Sequence, residues 1–385
     1  MNKAFKTEVK LSSGQLQKLK QTIGVCRYVY NLYLSQSQSH YKTTGKFLSG
    51  YDFSKWLNNV HIKQNQQDMW IKDVSSKAVK QAIMNGEKAY KGFFKGTAKY
   101  PRFKKKRKQD VKAYFPKNNK TDWTVERHRV KIPTFGWVRL KEFGYIPCDA
   151  VVKSGTLSIK GDRAYVSVLC EAPSAYAISL KDGGIGIDLG IKSFAVFSDG
   201  REFKGINKSS RVKKLDNRLK REQRALSRKY ESKKRGGEPA TKGSNITKNL
   251  LRVQRLQQRL ASIRKEYILS VVNAVVKTKP QYVVVEDLNV KGMMKNRHLS
   301  KSVAQQGFYT FKLWLSNLCR KHGIELRQVS KFFPSSKTCS LCGEVKQKMS
   351  LSERTYSCES CSFELDRDLN AAINLRYAKQ YIVLT

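Results

Sequence analysis

Three carboxylates and four cysteines are the residues of this chain whose types and spacing could do chemistry. Asp188 ends the apolar run Gly184-Ile185-Gly186-Ile187-Asp188, Glu286 ends Tyr282-Val283-Val284-Val285-Glu286, and Asp368 opens a helical pattern in Asp366-Arg367-Asp368-Leu369-Asn370-Ala371-Ala372. Three carboxylates in one cleft repel one another unless cations fill it. Two divalent ions about 3.5–4 Å apart would neutralise them, activate a water and stabilise the leaving oxygen of a phosphodiester. Oxygen ligands favour Mg²⁺ or Mn²⁺ over Zn²⁺ in such a site. Each carboxylate has a rival reading. Asp188 could bond nearby backbone amides, although the glycines around it argue for close backbone approach. Glu286 is followed by Asp287, and strand alternation lets only one of the two face a cleft; Glu286 is favoured. Asp366 and Asp368 compete in the same way, because one of them could cap the helix, and the pattern alone leaves that pair open.

The cysteines form the pairs Cys339-x-x-Cys342 and Cys358-x-x-Cys361, separated by fifteen residues. Each pair offers two thiolates, and four thiolates complete a closed tetrahedral Zn²⁺ shell with no open position, so the site is expected to be structural. Cys26, Cys148, Cys170 and Cys319 lie among apolar residues and are expected to be buried thiols without chemistry.

Charge says what such a site would act on. The 385 residues include 76 Lys and Arg against 30 Asp and Glu, a formal charge of +46. A compact body so charged repels itself unless a polyanion shares its surface, and neutralising nucleic-acid phosphates releases counterions. An anionic membrane is the weaker partner, since no amphipathic helix with a concentrated basic face stands out. No apolar run approaches the roughly 20 residues a spanning helix needs, and the N-terminus lacks a signal-peptide core. A cytoplasmic protein without membrane contact is expected, and there paired cysteines serve as metal ligands, not disulfides. An enzyme that cuts nucleic acid fits all of these features.

The elements that must position these residues read as two or three domains. A strand at Ala4–Leu11 precedes helical patterning from Ser13 to Gly96. Within it, Cys26, Tyr28, Val29, Tyr30, Leu32 and Tyr33 form a dense apolar-aromatic segment, and a second helix starts at an N-cap, Ser75, and runs past Tyr90 to Phe94. Arg102–Lys108 is a basic run suited to phosphate contact. From about 110 to 175, period-two alternation around Val130, Ile132, Trp137–Leu140, Thr156–Ser158 and Tyr165–Leu169 predicts a small antiparallel barrel or sheet, with a hairpin turn at Gly161-Asp162.

From Gly184 the pattern is α/β, with strands at Ile185–Leu189 and Phe194–Phe197 and a turn at Asp199-Gly200 into a third. A helical pair follows, with Leu215, Leu219, Leu226 and Tyr230 lining one partner and Val253, Leu256, Leu260, Ile263 and Tyr267 the other. The polar stretch between them, Glu231–Asn249, is expected to be mobile. Strands at Gln281–Glu286 and Ile324–Val329 flank a helix at Phe308–His322. This order suits a ribonuclease-H-like sheet, with the first strand central and beside the later parallel strand, so that Asp188 and Glu286 lie side by side.

The chain resembles TnpB, the transposon-encoded RNA-guided nucleases related to type V CRISPR effectors. The likeness rests on Gly186-Ile187-Asp188-Leu189-Gly190, Val285-Glu286-Asp287-Leu288, the stretch from Phe333 to Gly343 with both cysteines of the first pair, Tyr356-Ser357-Cys358, and Asp366 to Ala372. Cys26-Arg27-Tyr28-Val29-Tyr30-Asn31 and Pro101-Arg102-Phe103-Lys104 fit as well. The resemblance implies a strand-rich wedge domain, a β-barrel (1–12 and 101–180), interrupted by a helical recognition domain (13–100). It implies a RuvC nuclease domain (181–333 and 366–385) interrupted by a zinc-ribbon module (334–365).

The resemblance also implies a guide RNA from the transposon end, pairing with one strand of double-stranded target DNA, while the protein reads a short adjacent motif. It makes Asp188, Glu286 and Asp368 the catalytic triad, deciding for Asp368 over Asp366, and it places Lys77 and Gln81, four apart on one helix face, on the DNA. A prokaryotic cytoplasm, with nucleoid association when DNA is bound, follows. Ser362 stands where the family usually has Gly after the last cysteine, which is expected to do no more than shift a turn. Rival readings are an RNA-guided repressor without cleavage, a transposition accessory protein and a strand-transfer transposase. The intact triad argues against a repressor, and the missing paired His with a nucleophilic Tyr argues against the transposase.

Overall fold

The computed structural model describes residues 2–106, 111–119, 122–171, 179–235, 243–350 and 352–384. It divides into two compact units, Met1–Ser174 and Ala175–Thr385.

The first unit begins with β1 (Asn2–Lys10) and α1 (Ser13–Thr44). Ser12 and Gln15 cap α1 reciprocally, side chain to backbone, and Gly45 ends it at φ +66, a conformation costly for any residue with a Cβ. The helical stretch read from sequence is real but broken. It continues as α2 (Gly50–Trp56), a π turn (Leu57–His61), the single turn α3 (Ile62–Gln64), a 3₁₀ segment (Gln66–Asp73) and α4 (Ser76–Phe94). Ser75 holds the N-cap position of α4, but its hydroxyl makes no capping bond. Helices α1 and α4 pack through Val25, Val29, Tyr33, Val79 and Ile83. Gly86 is needed there, since a Cβ would lie 2.4 Å from the Tyr33 ring. Tyr28 and His61 both bond Asp68, at 2.7 and 2.8 Å, which pins the 3₁₀ segment under α1.

Seven strands complete this unit: β1, β2 (Ala113–Pro116), β3 (Thr124–Val125), β4 (Arg129–Ile132), β5 (Gly136–Leu140), β6 (Val152–Lys160) and β7 (Arg163–Glu171). All pairings are antiparallel, in the order β2-β6-β7-β1-β5-β4-β3. Gly161 makes the β6–β7 turn at φ +63. The ladder does not close into the expected barrel: among the described residues its end strands β2 and β3 do not pair with each other. The expected buried set also needs correcting at Cys148, which is exposed beside Pro147 in a turn. Burial does push the Cys26 and Cys319 thiols up to about 12 and raises Cys170, which disfavours the reactive thiolate at all three.

The second unit is a six-stranded sheet with helices on both faces. It comprises β8 (Lys181–Leu189), β9 (Ser193–Phe197), β10 (Glu202–Lys204), α5 (Ser210–Arg235), α6 (Gly243–Val276), β11 (Pro280–Glu286), α7 (Val290–Lys295), α8 (Ser300–Gln306), α9 (Phe308–His322), β12 (Glu325–Val329), β13 (Thr355–Ser357), β14 (Glu364–Asp366), α10 (Arg367–Arg376) and β15 (Ile382–Val383). The sheet order is β10-β9-β8-β11-β12-β15, with β8, β11 and β12 parallel and central. Ile185, Ile187, Val283 and Val285 point to the face covered by α6 and α9. Val284 and Val329 point to the other, where Leu375 and Ala378 cover them. The α5–α6 pair packs through Leu215, Leu219, Leu226, Val253, Leu256 and Leu260, whereas Tyr230, expected on the same face, is exposed. Part of the polar stretch read as mobile is helix, and 236–242 lie outside the described residues.

Candidate active site

Register sets two of the carboxylates side by side. Ile187 of β8 pairs with Val285 of β11, and one residue further along each strand stand Asp188 and Glu286. Neighbours in register on parallel strands share a face. Because Ile187 and Val285 point to the α6–α9 side, Asp188 and Glu286 point to the side of α10. Gly186 shares that face and measures how near α10 comes: a Cβ there would lie 2.0 Å from the Ala372 carbonyl oxygen and 2.5 Å from the Arg376 nitrogen. The Arg376 guanidinium approaches Gly183, so α10 runs antiparallel to β8. Asp368 precedes Ala372 by four residues, about 6 Å of helix rise. Asp188 follows Gly186 by two, about 6.6 Å of strand. Both therefore arrive at the same end of the sheet.

The electrostatics agree with that placement. Asp188 is half-buried, and its carboxyl is pushed up to about 7, first by burial and then by the charges of Asp368 and Glu286, with Arg367 opposing. Burial, then Asp287, raises Glu286. The geometry bears on both competing pairs. Asp287 is exposed and faces Lys312 at 3.8 Å, away from the cleft. Asp366 is the cap, accepting from the Asp368 and Leu369 amides at 2.9 and 3.0 Å. Asp368 is left to face Arg367, whose guanidinium donates to it at 3.1 Å. Such an acidic cluster, opposed by the Arg367 guanidinium, fits divalent cations. Its ligand atoms are spread more widely than those of the cysteines, the only group of three or more His, Cys, Asp or Glu among the described residues within 4.8 Å of one another.

The cysteines fit one Zn²⁺. The Sγ atoms of Cys339 and Cys361 are 3.7 Å apart, and those of Cys342 and Cys358 are 3.6 Å apart. Tetrahedral Zn–S bonds of about 2.3 Å imply sulfur–sulfur separations of about 3.8 Å, whereas a disulfide would need about 2.05 Å. The Cys361 amide, then that of Ser360, helps draw the Cys358 thiol down to about 6. Each pair turns through a left-handed residue, Gly343 at φ +82 and Ser362 at φ +56. Serine at this position takes a left-handed conformation that strains it.

Sequence reasoning missed the residues that join this cluster to the carboxylates. Asn370 is fully buried; its Nδ2 donates to the Thr338 carbonyl at 2.7 Å, and its Oδ1 accepts from the Ser340 amide at 3.0 Å. Asn374 donates to the carbonyls of Ser335 and Thr338 at 2.8 and 2.6 Å. The first cysteine knuckle is therefore tied to α10, the helix that carries Asp368. The signal available was two asparagines four apart on a helix face otherwise made of alanine and leucine. In the first unit, Lys77 is exposed at a cleft of about 470 Å³ shared with Lys131, with Asp122 4.0 Å away. Gln81 is half-buried and donates to Asn85 at 3.1 Å. Lys104 of the basic run is not free for phosphate: its ammonium lies 3.8 Å over Tyr30, and Asn31 clamps its backbone at 2.8 and 3.0 Å. Arg107 and Lys108 lie outside the described residues. No described helix is long and apolar enough to cross a membrane.

Fold and site together define a mixed α/β protein with an acidic cluster at the carboxyl ends of two parallel strands and a four-cysteine module packed on the adjoining helix. Three family models match it: a helix-turn-helix domain over 1–46, a transposase model of the OrfB type over 178–297, and the TNB domain of Cas12f1-like proteins over 308–375. The Escherichia coli (strain K12) protein named "Putative RNA-guided DNA endonuclease InsQ" is 28% identical, across 97% of this chain and 91% of its own length. A Streptomyces pristinaespiralis protein of the same description is also 28% identical, across 97% and 89%. A TnpB-like protein of Acanthamoeba polyphaga mimivirus is 24% identical across 70% and 52%. A solved structure of a Cas12f1–sgRNA–target DNA complex shares the fold, with a TM-score of 0.57 over 98% of both chains at 13% identity. Over nearly its whole length the chain is thus similar to proteins named putative RNA-guided DNA endonucleases, and over much of it to TnpB-like proteins.

Proposed function

We propose that this protein is an RNA-guided DNA endonuclease of a transposon: it binds a guide RNA, pairs it with one strand of target DNA and hydrolyses DNA phosphodiesters at the carboxylate cluster. The observation that carries the reading is the strand register that sets Asp188 beside Glu286, with α10 packed against that face; burial, then the charges of Asp368 and Glu286, pushes Asp188 up to about 7. The names of the relatives, which span nearly the whole chain, supply the substrate and the guide. The charge of +46 supplies the surface for both.

In this reading Asp188, Glu286 and Asp368 hold Mg²⁺ or Mn²⁺. Two such ions, when bound, would polarise the scissile phosphate and lower the pKa of an attacking water. The chain's own residues make the arrangement rigid. The β8–β11 ladder fixes Asp188 beside Glu286, Asp366 caps α10 so that Asp368 stays at its first turn, and Arg367 orients the Asp368 carboxylate. The four cysteines hold a structural Zn²⁺, and Asn370 and Asn374 transmit the rigidity of that module to α10. Lys77 is proposed to contact the short DNA motif, with Gln81 beside it. We divide the chain into wedge segments (1–12, 101–180), a helical recognition domain (13–100), RuvC segments (181–333, 366–385) and a zinc-ribbon module (334–365).

The test is single-turnover cleavage of a target matched to the RNA that copurifies with the protein. Asp188→Asn should lower the rate by more than about a hundredfold with RNA retained, and Asp287→Asn by less than about twofold. Cleavage by Asp188→Asn at the wild-type rate would sink the assignment.

A further inference from the structure

One face of the first unit has no role in the reading above. At the C-terminal ends of α1 and α4 the rings of Tyr41, Phe94, Phe93 and Tyr100 run edge to edge, with centroids 6.5, 5.5 and 5.2 Å apart in that order. They are 53%, 57%, 37% and 48% exposed, an unusual amount for large rings in contact with one another. They are also held from behind. Tyr90, buried, stacks on Phe94 at 24° and 6.3 Å, and Phe47 meets Phe94 edge-on at 5.9 Å. The rings are thus fixed outward and lose little freedom on taking up a ligand.

Along the two segments that carry the rings, the charge has one sign. Residues 41–49 and 91–106 contain no Asp or Glu. Lys42, Lys46, Lys95, Lys99 and Arg102 are exposed, and none of them makes an ion pair among the described residues.

We infer that this face binds unpaired nucleotides, the rings stacking on bases and the cations meeting the phosphates. Every base has a π-face, so stacking suits a strand of any sequence, and a row of rings in a basic field is the chemistry that recognises it. A duplex would use the charges but not the rings, because its bases are already stacked. A second copy of this chain would bring the same cations face to face. The inference deepens the nucleic-acid reading and rests on it, but it concerns a surface that the carboxylate cluster does not include.

The test uses the full chain, stripped of copurifying nucleic acid, and a 5-iodouridine-substituted single strand of about 16 nucleotides, the upper site size of such grooves. Ribose and deoxyribose versions tell an RNA source from a displaced DNA strand. Irradiation should crosslink the peptides that carry Tyr41, Phe94 and Tyr100, and unlabelled single strand, but not a duplex of equal length, should compete. Tyr41→Ala with Phe94→Ala should lower the crosslink yield on the remaining rings about tenfold, whereas Phe94→Tyr should preserve it. Crosslinks confined to other surfaces, equal competition by duplex, or a dimer that the double substitution abolishes would overturn the inference. Guided cleavage that persists without crosslinks at these rings would sink this inference and leave the nuclease reading standing.

Discussion

Ser362 adopts the left-handed backbone that the first knuckle gives to Gly343. A residue with a Cβ is disfavoured there by about 1–2 kcal/mol, partly offset by the extra freedom glycine has in the unfolded chain. Ser362→Gly should therefore stabilise the cysteine module by about 0.5–1 kcal/mol, read as slower zinc release to a chelator. Faster release would show that the serine side chain contributes something the backbone does not explain. The carboxylates lend themselves to a pH test. Asp188 is raised to about 7 in the fold, so the folded state binds the extra proton between the unfolded pKa of about 4 and that value. Its contribution to stability is intact below about pH 4 and is lost as pH rises towards 7. Without divalent cations the melting temperature of wild type should fall across that window more than that of Asp188→Asn, and Mg²⁺ should restore it. Identical pH profiles for the two proteins would argue that the charges do not converge. Asp188 and Glu286 were legible because each ends an apolar run, and Asp368 because it opens a helical pattern. Strand alternation favoured Glu286 over Asp287 and the family resemblance chose Asp368 over Asp366; the structure adds a lysine facing Asp287 and a capping bond at Asp366 that no spacing reveals.

Gly186 decides how the elements meet. The sequence showed glycines around Asp188 and so a close approach, but not which element approaches. The answer is α10, whose Ala372 carbonyl sits where a Cβ would be. Backbone cannot yield as a flexible side chain can, so Gly186→Ala should push α10 away and destabilise the second unit by about 1–3 kcal/mol or more in denaturant unfolding. It should also slow cleavage, because Asp368 moves with the helix. A variant of wild-type stability and rate would mean that α10 is not seated as described. Other element-level features were hidden for related reasons. Helical periodicity from 13 to 96 was plain, yet the break at Gly45 and the π and 3₁₀ turns depend on left-handed backbone and on Asp68 accepting from Tyr28 and His61. Alternation revealed the strands of the first unit but not the ladder order, which leaves β2 and β3 as open ends.

Across the whole molecule, composition spoke first and most simply. A charge of +46 announces a polyanionic partner whatever the fold. What it could not do is separate cations available to nucleic acid from those used internally, such as Lys104 over Tyr30 or Lys312 near Asp287. The central claim is narrower than the charge: carboxylates from a strand, its parallel neighbour and a later helix chelate the same ions. The most direct measurement is Mn²⁺ binding by electron paramagnetic resonance, on zinc-loaded protein freed of nucleic acid. The account predicts that Asp188→Asn, Glu286→Gln and Asp368→Asn each remove the same bound Mn²⁺, and that Asp287→Asn leaves it in place. Undiminished Mn²⁺ binding in the three variants, or its loss in Asp287→Asn instead, would contradict it.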